Sequence, residues 1–176
     1  MEYNMILDLV SSNDPILREE IPDFDFANPP CDPIQLAKDL TETMISNNGL
    51  GLSANQCGLR HRVFVMNGNP VYACFNPRIV DQTDTNIILL DEGCLSFPNL
   101  YLKVKRPRTI KVRFTQPNGE TVTQKFDGIT ARCFLHELDH LNGVVFTSKV
   151  NTYYLEKGMK YKKKLDKGIV KEQRYV

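Results

Sequence analysis

Apolar residues first recur at helical spacing between Pro33 and Ser46, where Ile34, Ala37, Leu40, Thr41 and Met44 fall on one face. Asp32 before them suits an N-cap and Pro33 a first helical position, so a helix over 33–46 is predicted, stopped by Asn47, Asn48 and Gly49. Gly49 to Gln56 then reads as a small-residue loop or edge segment. Beyond it come short β-rich runs, Arg62 to Met66, Val71 to Phe75 and Asn86 to Leu90, divided by Gly, Asn and Pro as in an antiparallel meander. Thr109 to Thr115 and Thr121 to Phe126 flank Asn118-Gly119, which supplies the positive φ angles of a hairpin turn. Asp127-Gly128 opens a second helix whose inner stripe is Ile129, Cys133, His136, Glu137 and His140, and Asn142-Gly143 closes it. That helix is apolar on most sides and is expected at the centre. Strands without β-α-β alternation then imply an α+β fold: antiparallel β-sheets packed around a central helix, with another helix near the N-terminus and a C-terminal helix or tail. One domain is expected over 1–150, followed by a basic segment over 151–176.

Composition adds little to this picture except by exclusion. The chain has 176 residues, 41% of them hydrophobic and 24% charged, which suits one globular domain with a core large enough to need no disulfides. No apolar run approaches membrane-spanning length, and Met1 to Val10 carries acids without a basic flank, unlike a signal peptide. Five cysteines, an odd number without a C-x-x-C pair, argue against a disulfide framework and for a reducing cytoplasm. A net charge of +1 gives no reason to expect DNA as a partner. Charge is nevertheless uneven: from Asn151 onward seven lysines and one arginine face three acids. Such a segment is either a solvated helix or a contact for an anionic surface.

The chemistry concentrates in His136-Glu137-Leu138-Asp139-His140. Only three histidines occur, and two of them stand four apart, a spacing that turns both rings to one side of a helix. Two imidazoles so placed can grip a divalent metal while Glu137 reaches the water that such a metal activates. The third, His61, lies between Arg60 and Arg62 and is expected to be solvated. A catalytic metal takes three protein ligands, and Glu92-Gly93-Cys94-Leu95-Ser96 offers Cys94, which taken alone reads first as a buried small hydrophobe.

Gly49-Leu50-Gly51-Leu52-Ser53-Ala54-Asn55-Gln56, Glu92-Gly93-Cys94-Leu95-Ser96 and His136-Glu137-Leu138-Asp139-His140 closely resemble, in order and separation, the three motifs of the peptide deformylase family. Asp14-Pro15-Ile16-Leu17-Arg18 resembles that family's N-terminal segment, and the similarity spans roughly residues 12 to 150. The resemblance implies hydrolytic removal of the formyl group from N-formylmethionyl peptides by one divalent metal ion, Fe2+ in many members and replaceable by Zn2+, Ni2+ or Co2+. Cys94, His136 and His140 would hold the metal, Glu137 would serve as general base and then acid, and the Gln56 side chain and Leu95 N–H would stabilise the oxyanion. An apolar methionine pocket would be lined by Leu50, Gly51, Ile129 and Cys133, and Glu92 paired with Arg106 would brace the loop carrying Cys94.

Three positions depart from the family pattern. Ser53 replaces an alanine, so its hydroxyl needs a partner if buried; Leu135 replaces a glutamine before the first ligand histidine; Tyr101 replaces an arginine of many bacterial members. The alternatives are a zincin-like metalloprotease, which would draw a third ligand from downstream although no histidine follows His140, and a catalytically inactive relative that binds formyl peptides or the ribosome. In the second case, as in the enzyme, the basic tail is a candidate ribosome contact.

Overall fold

The computed structural model describes residues 5–82 and 87–170. Asn86, where one expected strand begins, and the end of the basic tail lie outside them. Among the described residues, α-helices run over α1 (Pro33–Ser46), α2 (Gly128–Leu141) and α3 (Thr152–Asp166). Strands run over β1 (Gly51–Ser53), β2 (Val63–Met66), β3 (Tyr72–Gln82), β4 (Ile87–Cys94), β5 (Phe97–Pro107), β6 (Thr109–Thr115) and β7 (Thr121–Asp127). They form two antiparallel sheets, one five-stranded in the order β1-β2-β3-β6-β7 and one two-stranded, β4-β5, inserted between β3 and β6.

The short strand β2 organises the core because both of its faces are apolar. Val63 and Val65 enter a cluster with Leu40 and Met44 of α1, whereas Phe64 and Met66 enter a cluster with Phe134 and Leu138 of α2. Alternation along one strand therefore sends successive side chains to a helix on either side. Asp32 caps α1 by accepting from the Ile34 and Gln35 N–H groups, an interaction worth about 1 kcal/mol. Helix α2 leaves the sheet at Gly128, whose φ of +60° suits glycine. It then runs between the main sheet, where Phe134 meets Phe64 edge-on at 5.0 Å, and the β4-β5 hairpin.

Helix α3 lies against the back of that hairpin. Gly158 is the point of closest approach, since a Cβ there would come within 2.5 Å of Leu102 Cδ2 and 3.1 Å of the Tyr101 carbonyl oxygen. Leu155 joins the cluster of Leu100, Leu102, Val104 and Phe146 beneath it. No helix among the described residues is long and apolar enough to cross a membrane. His61 differs from expectation: it is half-buried with its ring against Phe24 at 5.7 Å, and burial lowers its pKa.

Candidate metal centre

Three elements converge beside α2. The end of β4 carries Cys94, α2 carries His136, Glu137 and His140, and β1 with the 3-10 turn Ala54–Cys57 carries Ser53 and Gln56. Cys94 Sγ lies 3.2 Å from His140 Nε2, and the donor atoms of Cys94, His136 and His140 fall within 4.8 Å of one another. Bonds of about 2.0 to 2.3 Å to one ion place its ligands about 3.5 Å apart, so this donor set fits a single divalent cation. One sulfur with two imidazoles suits iron and zinc alike.

Glu92 is the hub behind the ligands. Its carboxylate accepts from Arg106 Nε at 2.7 Å and Arg106 Nη2 at 2.9 Å, from Arg132 Nη1 at 2.6 Å, and from His136 Nδ1 at 3.0 Å. The last bond occupies Nδ1, so that Nε2 is the ring nitrogen that would face a cation beside Cys94. Arg106 also reaches Asp139 at 2.7 Å, while Arg132 donates to the carbonyls of Val104 at 2.9 Å and Ile88 at 2.7 Å, tying α2 to both strands of the hairpin.

These contacts set the local charge. Burial alone would raise Glu92, but the bonds from Arg106 and His136 outweigh it and hold the carboxyl well below the usual carboxylate range. Burial likewise opposes charge on His136, yet its hydrogen bonds with Cys94 and Glu92 lift it to about 10. His140 is held neutral by burial and by the neighbouring His136. Burial raises Glu137, partly offset by His136 and by the Ser53 hydroxyl.

Gln56 is fixed in one orientation. Its Oε1 accepts the Ser53 N–H at 2.9 Å, which turns the amide nitrogen toward Ser96 Oγ at 3.0 Å and Cys94 Sγ at 3.6 Å. Leu95 and Ser96 form the two-residue connection between β4 and β5. Neighbouring Asn55 ties this turn to the end of α2 by donating to the His140 carbonyl at 2.7 Å.

Leu50, Gly51, Ile129 and Cys133 all line a cleft of about 860 Å³ that also reaches Cys94, His136 and Glu137. Leu50 and Ile129, however, are each 56% exposed and stand at its rim, so Ile129 does not belong to the buried stripe of α2. It occupies the first helical turn, before α2 enters the core. Tyr101 lines the same cleft and packs over Gly93, where a Cβ would lie 2.9 Å from the ring. Leu135 is buried in the α2 cluster, so a hydrophobe there is satisfied by packing. Sequence reasoning does not single out Arg132 and Asp139, although their spacing is informative, since with His136 they stand at i, i+4 and i+7 of one helix.

An α+β scaffold here gathers one cysteine and two histidines beside a buried glutamate, a donor set that could hold one divalent metal ion. The polypeptide deformylase family model matches residues 6–155. The chain belongs to this family. It is 41% identical over 123 residues to a peptide deformylase of Microchaete diplosiphon, covering 66% of this chain and 65% of that one. A Thermotoga petrophila peptide deformylase is 42% identical over 113 residues, covering 64% and 68%. Among solved structures, a Synechococcus elongatus peptide deformylase in complex with actinonin superposes with a TM-score of 0.82 at 33% identity, covering 89% of this chain and 86% of that one. The Thermotoga maritima peptide deformylase gives 0.75 at 35% identity, covering 85% and 99%. The chain spans just under two thirds of the length of such relatives, 65% of the Microchaete diplosiphon protein and 66% of a Prochlorococcus marinus peptide deformylase.

Proposed function

We propose that this chain is an active peptide deformylase, hydrolysing the N-formyl group of formylmethionyl peptides to release formate. The observation that carries this is the closure of Cys94, His136 and His140 to within 4.8 Å beside Glu137, in a chain of the deformylase family. Cys94, His136 and His140 would hold one divalent ion, Fe2+ in this proposal, with Zn2+, Ni2+ or Co2+ as substitutes. When bound, the ion supplies Lewis acidity that makes attack by water feasible at neutral pH.

The chain's own groups do the rest. Glu137 takes a proton from the attacking water and returns it to the departing amine. As negative charge builds on the formyl oxygen, the Gln56 amide and the Leu95 N–H donate to it, and losing such a donor typically costs about a hundredfold to a thousandfold in rate. The Ser53 N–H bond to Gln56 Oε1 supports this assignment because it prevents the amide from presenting its oxygen instead. The methionine side chain would occupy the cleft between Leu50, Gly51, Ile129 and Cys133. Glu92 and Arg106 would hold His136 and the hairpin carrying Cys94 in register.

The same proposal treats residues 1–150 as the catalytic unit and 151–176 as a basic appendage in contact with the ribosome, in the cytoplasm, with neither DNA nor membrane as partner. A zincin-type protease has no use for Cys94 and lacks support from family membership. The test is formate release from a formyl-Met-Ala peptide by metal-loaded protein. Turnover by the parent and its loss by at least about a hundredfold in Glu137→Gln are expected. A metal-loaded parent that binds formyl-Met peptides but releases no formate would make the chain an inactive relative.

A further inference from the structure

Gly51 and Ser53 stand two apart on β1, so their side-chain positions share one side of the strand, toward α2, while Leu52 points into the α1 cluster. A Cβ on Gly51 would lie 2.5 Å from Glu137 Oε1 and 2.8 Å from Glu137 Cγ, so the carboxylate fills space that only glycine leaves. The other oxygen, Oε2, accepts a 2.7 Å hydrogen bond from Ser53 Oγ, and both residues are buried. The same hydroxyl lies 3.1 Å from the Glu137 carbonyl oxygen. One three-residue strand therefore bounds both carboxylate oxygens, one by an absent side chain and one by a hydroxyl.

From this geometry we infer that Ser53 is a positioning residue for Glu137, holding its carboxylate in the orientation needed for proton transfer. The inference rests on the proposal that Glu137 is the proton-transfer group. A glutamate has three rotatable side-chain bonds, and a hydrogen bond to one carboxylate oxygen selects among the rotamers that the space beside Gly51 admits. A hydroxyl bonded to a carboxylate is short and strong, and β1 holds that hydroxyl rigidly through its pairing of Ser53 with Phe64. With Oε2 anchored, Oε1 stays beside Gly51, and a reacting group meets it already aligned. Gly51 leaves the space for the carboxylate, and Ser53 fixes the carboxylate within it.

The experiment compares Ser53→Ala, Ser53→Thr and Glu137→Gln with the parent, all metal-loaded, on a formyl-Met-Ala peptide, together with a crystal structure of Ser53→Ala. Ser53→Ala is expected to lower kcat about ten- to hundredfold, the range for a hydrogen bond to a charged group. KM and metal content should stay at parental values. Ser53→Thr, which keeps the hydroxyl, should restore most of kcat, and the crystal structure should show the Glu137 carboxylate displaced from β1. Parental kcat in Ser53→Ala, an unmoved Glu137 in its crystal structure, or loss of metal with a parental rate per bound ion would overturn the inference. Parental turnover by Glu137→Gln would overturn the reading of Glu137 itself, and the role of Ser53 with it.

Discussion

Glu92 is the residue on which most of the site's electrostatics turn. Four donors from Arg106, Arg132 and His136 converge on its two oxygens in a buried setting, where each charge depends on the others for compensation. Breaking such a pair by removing one partner typically costs about 3–5 kcal/mol, far more than an exposed pair. Arg132 is the more telling member, because it bonds Glu92 and also both strands of the hairpin through the Val104 and Ile88 carbonyls. Arg132→Met is therefore expected to weaken metal affinity by about ten- to hundredfold, as for other groups that orient metal ligands. Competition with a metal chelator measures it; unchanged affinity with a lowered melting temperature would reduce Arg132 to a packing role. The pairing of Glu92 with Arg106 can be anticipated from family resemblance. The partner of Ser53 cannot, because a hydroxyl that must be satisfied does not say by whom, and Glu137 lies 84 residues away.

Elements with strong local chemistry are legible in the sequence. Helix α1 has its cap and its period, and β6 and β7 have an Asn-Gly turn with Gly119 at φ +86°, so their expected bounds differ from those observed by no more than one residue. For β3 the sequence pattern stops at Phe75, because Asn76-Pro77 looks like a break. The strand continues to Gln82, for Asn76 at φ +49° and the shift in register from Phe75 to Arg78 make these residues an irregularity within it. Strand β5 has no counterpart among the expected elements. Leu100, Leu102, Val104 and Arg106 do alternate as buried positions, but Pro98, Pro107 and intervening lysines mask the pattern, and a buried arginine reads as polar. Helix α3 combines both cases: its basic character is visible in the sequence, its seating on β5 through Gly158 is not. Because that face is committed, the exposed lysines Lys157, Lys160, Lys163 and Lys164 lie on the outer face, which is the surface the proposed ribosome contact would use. Replacing all four with glutamine should weaken ribosome binding and flatten its salt dependence, by roughly 0.7–0.9 in log–log slope per lost phosphate contact. Equal binding and slope in the variant would end the ribosome proposal.

Across the full architecture, the two sheets serve different ends. The five-stranded sheet with α1 and α2 supplies the core, and the hairpin β4-β5 brings a single sulfur across to the two rings of α2. The hairpin is held there from two sides, by the Arg106–Glu92–Arg132 network facing α2 and by α3 behind. Ligands from separate elements converge only after folding, so the centre is a property of tertiary structure, although its residue types are visible in three short motifs. The proposed chemistry depends above all on one sulfur and two ring nitrogens sharing one ion. X-ray absorption at the metal edge of the loaded protein reads this out. One sulfur scatterer at about 2.3 Å with nitrogen or oxygen neighbours at about 2.0–2.1 Å is expected, the sulfur disappearing in Cys94→Ser. A parental spectrum without a sulfur neighbour, or one unchanged by Cys94→Ser, would contradict it.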